Sequence, residues 1–262
     1  MRFVRFDLDG RPSYGLVEVD RVIPISASPF ERWQAAGPPI ALDRVRLHVP
    51  VVPQNFYAVG LNYVAHIRER ALKLGIAPEL PTRPEPAYRS ASALVANNEP
   101  IVLPRDTTSV QYEGELVVVI GQRAKHVHEA DALKYVLGFT IGNDISERTW
   151  QKADRSFWRS KNSDTFKPMG PWIETDVDLE SLRTSVRVNG KPQIEFRTND
   201  MLFGVARFIA TITEYITLHP GDVIWMGTEG ACGDLHAGDI VEVEISSIGT
   251  LRNPVVASLP IE

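Results

Sequence analysis

The sequence predicts an α+β protein that is mainly β, and three observations lead to that class. Short runs of β-branched and aromatic residues recur along the chain, and Gly-Asp pairs that favour turns separate several of them. Only a few segments have the apolar spacing of a helix. Strands and helices do not alternate regularly, so mixed, mostly antiparallel sheets are expected instead of a doubly wound parallel sheet.

The N-terminal part of the chain is predicted to be a small β-rich domain over residues 1–50. Its strand-like segments are 3–6, 15–19 and 21–25. Residues 46–53 contain two prolines, which favour an irregular linker. A second, larger domain is therefore predicted over 51–262.

Strands are predicted through most of this second domain, with a few helices between them. The predicted strands are 56–61, 100–103, 115–121, 137–142, 184–188, 222–226 and 239–245. The predicted helices are 63–75, 129–136 and 199–214. In the third of these, helical spacing is kept by Met201, Val205, Phe208, Ile209 and Ile212.

Composition is that of a globular protein and excludes several classes of function. Of the 262 residues, 44% are hydrophobic and 23% are charged, and acidic and basic residues are mixed to a net charge of −5. This balance argues against a nucleic-acid surface and a polybasic membrane patch. The apolar runs are too short to span a bilayer, and no signal-peptide core is present. Cys232, the single cysteine, lacks an evident activating base and agrees with a cytoplasmic location.

Two glutamates at the start of the most apolar predicted strand point to a metal site. Glu113 and Glu115 flank Gly114, and side chains two residues apart on a strand lie on the same side. Buried like charges repel unless a cation lies between them. Asp144 follows the next predicted strand and is placed to converge on the same ion. Three carboxylates without histidine favour Mg²⁺ or Mn²⁺ over Zn²⁺, while a solvated strand edge is the alternative.

Several motifs follow one another in a fixed order between residues 55 and 257. They are VGLNY (59–63), YEGEL (112–116), GNDISER (142–148), KNSDT (161–165), PMGPW (168–172), LHPGDVI (218–224), GT (227–228) and GDIV (238–241). Each is modest alone, but the ordered set closely resembles the fumarylacetoacetate hydrolase family, in its short bacterial, acylpyruvase-like branch. The resemblance implies a mixed β-sandwich roll, usually a homodimer, that acts on 2-oxo or β-diketo acids. It also implies that Glu113, Glu115 and Asp144 bind Mg²⁺.

A histidine and a glutamate on the first predicted helix are candidates for acid–base chemistry. His66 and Glu69 lie three residues apart and share one face. A carboxylate beside an imidazole raises its basicity, which suits a general base. From the residues alone, a surface pair on a charged helix is the simpler interpretation. The resemblance implies instead the His-x-x-Glu lid of the family, which activates water and shields the site.

Four more candidates depend mainly on the resemblance. It assigns Lys161 to the stabilisation of negative charge on a substrate oxygen, although composition alone favours a solvated lysine. Arg148 and Gln151 begin a predicted helix and would bind a substrate carboxylate and carbonyl, with a capping network around Asp144 as the alternative. Thr228 lies in a Gly-flanked turn and would offer its hydroxyl and N–H groups to a carboxylate.

The expected activity is hydrolysis of a C–C bond in a small 2,4-dioxo acid, either an acylpyruvate or a fumarylacetoacetate-like compound. His66, assisted by Glu69, would deprotonate water while a metal-bound enolate leaves. The same site would suit decarboxylation of a 2-oxo acid or isomerisation of a 2-hydroxymuconate-type acid. A catalytically inactive dicarboxylate-binding protein is the alternative outside the enzymes. Glu229 and Arg89 depart from the usual family pattern, which leaves the substrate open.

Overall fold

Strands dominate the computed structural model of this protein, which describes residues 1–230 and 233–259. The strands are β1 (Arg2–Leu8), β2 (Arg11–Glu18), β3 (Arg21–Pro24), β4 (Ile40–Ala41), β5 (Phe56–Val59), β6 (Pro86–Tyr88), β7 (Leu94–Val95), β8 (Ile101–Leu103), β9 (Val110–Gln111), β10 (Gly114–Ile120), β11 (Val136–Asn143), β12 (Ser146–Glu147), β13 (Lys167–Glu174), β14 (Arg183–Val188), β15 (Lys191–Arg197), β16 (Val223–Trp225), β17 (Ile240–Ile245) and β18 (Gly249–Ala257). The α-helices are α1 (Val64–Leu74), α2 (Arg148–Ala153) and α3 (Val205–Tyr215), and short 3₁₀ helices occupy Leu42–Arg44, Ala91–Ala93, Glu129–Tyr135 and Leu179–Ser181. Cys232 lies outside the described residues.

The sheets confirm the predicted class, mainly β with mixed and mostly antiparallel pairing. Among the described residues, the largest sheet has eleven strands in the order β4-β3-β2-β1-β13-β11-β10-β16-β5-β6, with β7 paired to β13. A five-stranded sheet has the order β15-β14-β17-β18-β8, and β9 pairs with β12 in a small third sheet. Within the described ranges, no helix is long and apolar enough to cross a bilayer.

The centre of the largest sheet is covered on both faces, which explains the unbroken apolar run of β10. Val118 lies in the core between this sheet and the five-stranded sheet, together with Val243 of β17. Val117 and Val119 point the other way, into a second core with Trp225. A strand buried on both faces has no polar alternation, and the whole of β10, including its start, is buried inside the protein.

The N-terminal strands continue the largest sheet. β1 pairs antiparallel with β13, so that Arg2 lies opposite Glu174 and Phe3 opposite Ile173. Phe3 packs in the same core as Met169, while Val4 belongs to a separate small cluster. The strands predicted within residues 1–50 are therefore joined to the later strands by hydrogen bonds as well as by apolar contacts.

The predicted helix 63–75 is confirmed as α1, but the prediction of helix from residue 199 is wrong. The helix α3 begins at Val205, after an N-cap at Gly204. The backbone before α3 is hydrogen-bonded to Asn62 instead. The carbonyl of Asn62 accepts from the N–H of Leu202 at 2.6 Å, and its side chain accepts from Phe203 N–H at 3.0 Å. Met201 lies in an isolated bridge to Tyr63 instead of a helical turn. Met201 is partly buried against the core, so its apolar character reflects packing of a non-helical segment.

Besides several strands of two or three residues, the sequence did not predict the longer strands β13, β15 and β18, and β13 is the most instructive of these. Prolines interrupt sheet hydrogen bonding, and β13 contains Pro168 and Pro171. The pairing with β11 is irregular where Pro171 lies, because its register shifts between Phe139 and Ile141. Pro171, which has no N–H group to donate, therefore lies where the sheet pairing is already irregular. The segment predicted as helix 129–136 forms a 3₁₀ helix instead.

Candidate metal centre and active site

The start of β10 and the end of β11 bring two carboxylates together. Asn143 ends β11 opposite Gly114, so Glu113 and Asp144 leave adjacent antiparallel strands at the same edge. The backbone joins them: Asp144 N–H donates to the carbonyl of Glu113 at 2.9 Å, and Glu113 N–H donates to Oδ1 of Asn143 at 2.9 Å. Position in two neighbouring strands therefore fixes Asp144 beside the glutamate pair.

The predicted metal ligands form a buried carboxylate triad, which here means Glu113, Glu115 and Asp144. One carboxylate oxygen from each lies within 4.8 Å of the others. The three residues are only 6%, 2% and 1% exposed. Spacing of this kind suits oxygens that share one hard cation, so the donor set of the site fits Mg²⁺ or Mn²⁺.

Gly114 is required between the two glutamates because the second sheet approaches closely there. A methyl group at position 114 would lie 2.8 Å from Cγ1 of Val243 and 2.9 Å from Cγ2 of Val186. Both valines belong to the five-stranded sheet. The absence of a side chain lets this sheet cover one side of β10, while Glu113 and Glu115 occupy the other.

Four basic side chains surround two members of the triad. Arg148 Nη2 lies 2.7 Å from Oε1 of Glu113. Lys161 Nζ contacts Oε2 of Glu113 and lies 3.0 Å from Oδ2 of Asp144. Arg89 Nη2 lies 2.9 Å from Oδ2 of the same aspartate. The fourth is Lys167, whose Nζ lies on the other oxygen of Asp144, Oδ1.

These cations outweigh the effect of burial on two of the carboxyl groups. Burial opposes ionisation of Glu113, but Arg148 and Lys161 attract its charge and lower its pKa to about 2. Asp144 is equally buried, and Arg89 and Lys161 hold its pKa well below the usual range. Both groups are therefore ionised at neutral pH.

Glu115 differs from its two neighbours. Burial raises its pKa well above the ordinary value, and the charges of Asp144 and Glu113 raise it further. Its Oε2 accepts the N–H of Gly227 at 2.9 Å, and within the described residues it forms no ion pair. One carboxylate of the triad thus has no ion-pair partner within the described residues, and a bound divalent cation would provide one.

The helix α1 carries the predicted acid–base pair. His66 and Glu69 share a face, and both side chains lie against Gly230. Burial lowers the pKa of His66, so its imidazole is neutral at neutral pH. The Nδ1 atom of His66 is buried without a hydrogen-bond partner among the described residues. Glu69 forms an ion pair with Lys73 at 2.6 Å, and it makes no hydrogen bond to Nδ1 of His66.

Arg148 connects Gln151, another predicted substrate-binding residue, to the triad. It begins α2, and its Nη1 donates to Oε1 of Gln151 at 2.9 Å while its Nε donates to Oε1 of Gln111 at 2.8 Å. Because the Gln151 carbonyl is occupied, the amide NH₂ group is the part that remains as a donor. Thr228 is buried directly after Gly227, whose N–H group contacts the triad.

Two contacts of Asp144 were not predicted from the sequence. Lys167 is fully buried at the start of β13, and its Nζ lies 2.6 Å from Oδ1 of Asp144. In the sequence, Arg89 stands out only as a departure from the family pattern. The available signal for Lys167 is its position directly before an apolar run. Because that run contains prolines, it does not predict a strand, and the side to which the lysine points cannot be predicted either.

Comparison with known proteins gives matches over nearly the whole chain. Residues 55–256 match the family model described as fumarylacetoacetate (FAA) hydrolase C-terminal, and residues 1–50 match the one described as Rv2993c-like, N-terminal. The 2,4-didehydro-3-deoxy-L-rhamnonate hydrolase of Sphingomonas sp. is 34% identical over 97% of this chain and 96% of its own.

Solved structures are similar over the same extent. A structure titled 5-carboxymethyl-2-hydroxymuconate delta-isomerase, from Mycobacterium smegmatis, is 37% identical with a TM-score of 0.89, over 98% of this chain and all of the other. Maleylpyruvate hydrolase from Sphingobium sp. SYK-6, in complex with manganese(II) ion and pyruvate, is 26% identical with a TM-score of 0.80, over 99% of this chain and all of the other.

Proposed function

Since this chain belongs to the fumarylacetoacetate hydrolase family, we propose that it is a divalent-metal-dependent hydrolase that cleaves a C–C bond in a small 2,4-dioxo acid. Enzymes among its relatives and structural neighbours are named for small oxo-acid substrates, as hydrolases and as an isomerase. The acylpyruvates and fumarylacetoacetate-like acids are the substrates that we expect.

One observation carries this function most directly, the burial of Glu115 in the carboxylate triad without an ion-pair partner of its own among the described residues. Glu113 and Asp144 are paired with cations, whereas Glu115 is buried next to their negative charges without an ion pair in the described residues. A hard divalent ion held by the three carboxylates would relieve this repulsion. When bound, Mg²⁺ or Mn²⁺ supplies Lewis-acid polarisation of substrate oxygens. A manganese complex of a structural neighbour supports this choice.

His66 suits the activation of water because it is neutral and has a free ring nitrogen. Its pKa is lowered by burial, and Nδ1 has no partner in the described residues. We assign His66 as the base that takes a proton from water as the oxygen adds to the distal carbonyl carbon. The C–C bond then breaks, its electron pair stays with the 2-oxo acid fragment, and protonation of that carbon gives a carboxylic acid and a 2-oxo acid.

The remaining candidates bind and orient the substrate. The NH₂ group of Gln151 donates to a substrate oxygen, while Arg148 holds the amide in position. Lys161 places a positive charge beside the triad, where negative charge develops on substrate oxygens. Thr228 offers its hydroxyl group to the substrate carboxylate. Precise placement of this kind lowers the entropic part of the barrier.

A panel of acylpyruvates, oxaloacetate and 2-hydroxymuconate-type acids, each with Mg²⁺ or Mn²⁺, tests the function. We expect hydrolysis products by mass spectrometry, loss of turnover with EDTA, and recovery on addition of metal. Glu115→Gln should abolish metal-dependent turnover, whereas Glu129→Gln, in an exposed ion pair with Arg207, should retain it. Metal-independent turnover, or none with any acylpyruvate, would contradict the hydrolase.

An isomerase is the second candidate, favoured by the 37% identity to the structure titled as a hydroxymuconate delta-isomerase. A neutral, buried imidazole can also move a proton between two carbons of a substrate. Isomerisation leaves the mass of the substrate unchanged, so the same panel separates it from hydrolysis. Decarboxylation of oxaloacetate would instead release CO₂.

The proposed function includes a cellular location, an oligomeric state and a division into domains. We propose a cytoplasmic homodimer that has a small N-terminal domain over 1–50 and a catalytic domain over 51–262. The two family matches, over 1–50 and 55–256, support this division. Light scattering of the purified protein would test the dimer, since a monomeric mass at assay concentration would contradict it.

A further inference from the structure

The segment that leaves β16 contacts both parts of the site. At its beginning, the N–H group of Gly227 donates to Oε2 of Glu115 at 2.9 Å. Thr228 is buried next. At its end, Gly230 lies against His66 and Glu69 of α1. A stretch of four residues therefore spans from the carboxylate triad to the acid–base pair.

Gly230 has no room for a side chain, and the atoms that fill the space are the functional ones. A methyl group at position 230 would lie 2.6 Å from Nδ1 of His66 and 2.8 Å from Oε2 of Glu69. Both distances are below van der Waals contact. Because these atoms are the ends of side chains, an added methyl group would displace the imidazole and the carboxylate before it displaced the backbone.

The backbone angle alone does not explain this contact. Gly230 has a φ of +120°, which L-residues rarely adopt. Gly238 has a φ of +99°, yet a methyl group there would have nothing within 4 Å. The two glycines thus share a backbone requirement, and Gly230 alone of this pair adds the close approach to His66 and Glu69.

We propose that Gly230 is a positioning residue that sets where the His66 imidazole stands relative to the carboxylate triad. Its Cα acts as a stop for both side chains, and Gly227 fixes the same segment to Glu115. The distance between the general base and the triad is thereby set by one short connection. This role presupposes the acid–base function proposed for His66, but its effect on the imidazole can be measured without substrate.

Gly230→Ala, with Gly238→Ala as the control for backbone strain, tests this role. Displacement of a reacting group by about 1 Å can lower turnover by roughly 100-fold. We expect kcat of Gly230→Ala to fall by about this factor, while KM and the Mn²⁺ dissociation constant stay unchanged. Gly238→Ala should keep the kcat of the wild type. Joint loss of turnover and Mn²⁺ binding, or full kcat in Gly230→Ala, would overturn the assignment.

The imidazole itself provides a readout that needs no turnover. Burial lowers the pKa of His66, while Glu113, Glu69, Arg148 and Lys161 act on it from the surrounding elements. Displacement towards solvent in Gly230→Ala should raise the pKa, as followed by NMR of the histidine ring and assigned with His66→Gln. An unchanged ring signal would refute the positioning role even if no substrate is found, which separates its failure from that of the proposed function.

A stability cycle covers the case in which Gly230→Ala folds poorly. If the clash is with the two side chains, Gly230→Ala should lower Tm less in a His66→Ala/Glu69→Ala background than in the wild type. The background variant removes the atoms that a methyl group would meet. Equal loss of Tm in both backgrounds would show that the clash lies elsewhere, and the assignment would then be wrong.

Discussion

The ammonium group of Lys167 lies 2.6 Å from Oδ1 of Asp144, although the two side chains are only 0% and 2% exposed. Lys167 also donates to the carbonyl groups of Ile145 and Phe166, at 3.0 and 2.8 Å. Burial lowers its pKa to about 7, against the attraction of Asp144. The aspartate of the triad is therefore held from one side by a lysine that solvent does not reach.

Removal of this lysine should destabilise the protein. Lys167→Met leaves Oδ1 of Asp144 buried without its nearest cation, and breaking a buried pair on one side lowers stability by about 3–5 kcal/mol. Arg89 and Lys161 remain on Oδ2, so we expect about 3 kcal/mol. Urea unfolding below the pKa of Lys167 measures the change.

Arg187→Met is the matched control for Lys167→Met. Arg187 forms an ion pair with Glu244 at a similar distance, 2.6 Å, but the side chains are 38% and 42% exposed. Exposed pairs contribute about 0–1 kcal/mol. Equal losses in the two variants would mean that Lys167 contributes no more than a surface charge.

The metal-free protein should lose stability as pH rises because of Glu115. Its pKa is higher in the folded protein than in the unfolded chain. The folded state therefore binds the proton of Glu115 more tightly than the unfolded chain does. The stability that this proton contributes is complete below the ordinary pKa of 4.5, and it is lost as pH rises through the folded pKa. Glu115→Gln should remove this part of the pH dependence, as measured by urea unfolding in EDTA.

Metal binding should show the opposite dependence at the same residue. A divalent ion displaces the proton of Glu115, so Mn²⁺ affinity should rise with pH. Calorimetry in buffers of different ionisation enthalpy measures the released proton. If Glu115→Gln still releases a proton on binding Mn²⁺, another group titrates. The same follows if the stability of metal-free Glu115→Gln depends on pH as that of the wild type does.

The pH dependence of catalysis should change when the charge of Glu69 is removed. The negative charge of Glu69 raises the pKa of His66, partly against the effect of burial. Glu69→Gln should therefore lower that pKa further and shift the acid limb of kcat/KM to lower pH. We expect kcat to fall by less than about 100-fold, since the base itself, which contributes at least that much, is retained.

Lys73→Gln is the control that tests whether the charge of Glu69 or its ion pair with Lys73 matters. It leaves the carboxylate of Glu69 in place and removes only an exposed partner at 2.6 Å. Turnover should change little, because exposed ion pairs contribute little. A shift of the acid limb in Lys73→Gln as large as in Glu69→Gln would indicate that the helix surface, and not the Glu69 charge, controls His66.

Gly114→Ala should destabilise the contact between the two sheets. Its methyl group would meet Val243 and Val186 at 2.8 and 2.9 Å, and overpacking of a core lowers stability by about 1–3 kcal/mol. Gly60→Ala is the control, because a methyl group there has nothing within 4 Å. Thermal unfolding measures both, and a Gly114→Ala variant as stable as Gly60→Ala would show that the sheets can separate without loss.

Local spacing determined a large part of the candidate site. Two residues at strand spacing share a side, so the meeting of Glu113 and Glu115 followed from the sequence alone. Asp144 followed because the next strand pairs with this one and ends at the same edge. His66 and Glu69 share a face because they lie three residues apart on α1. Each of these relations depends on backbone geometry within one or two neighbouring elements.

Only the tertiary structure decided which cations meet Asp144. Arg89 follows β6 at the edge of the sheet and Lys167 begins β13, and their positions depend on strand order and not on local pattern. The prolines of β13 concealed its strand, because proline interrupts regular sheet pairing, and the pairing with β11 is irregular where Pro171 lies. The contact of Gly230 with His66 likewise joins segments that are far apart in sequence. Local propensity cannot predict such relations, because they arise when distant segments pack together.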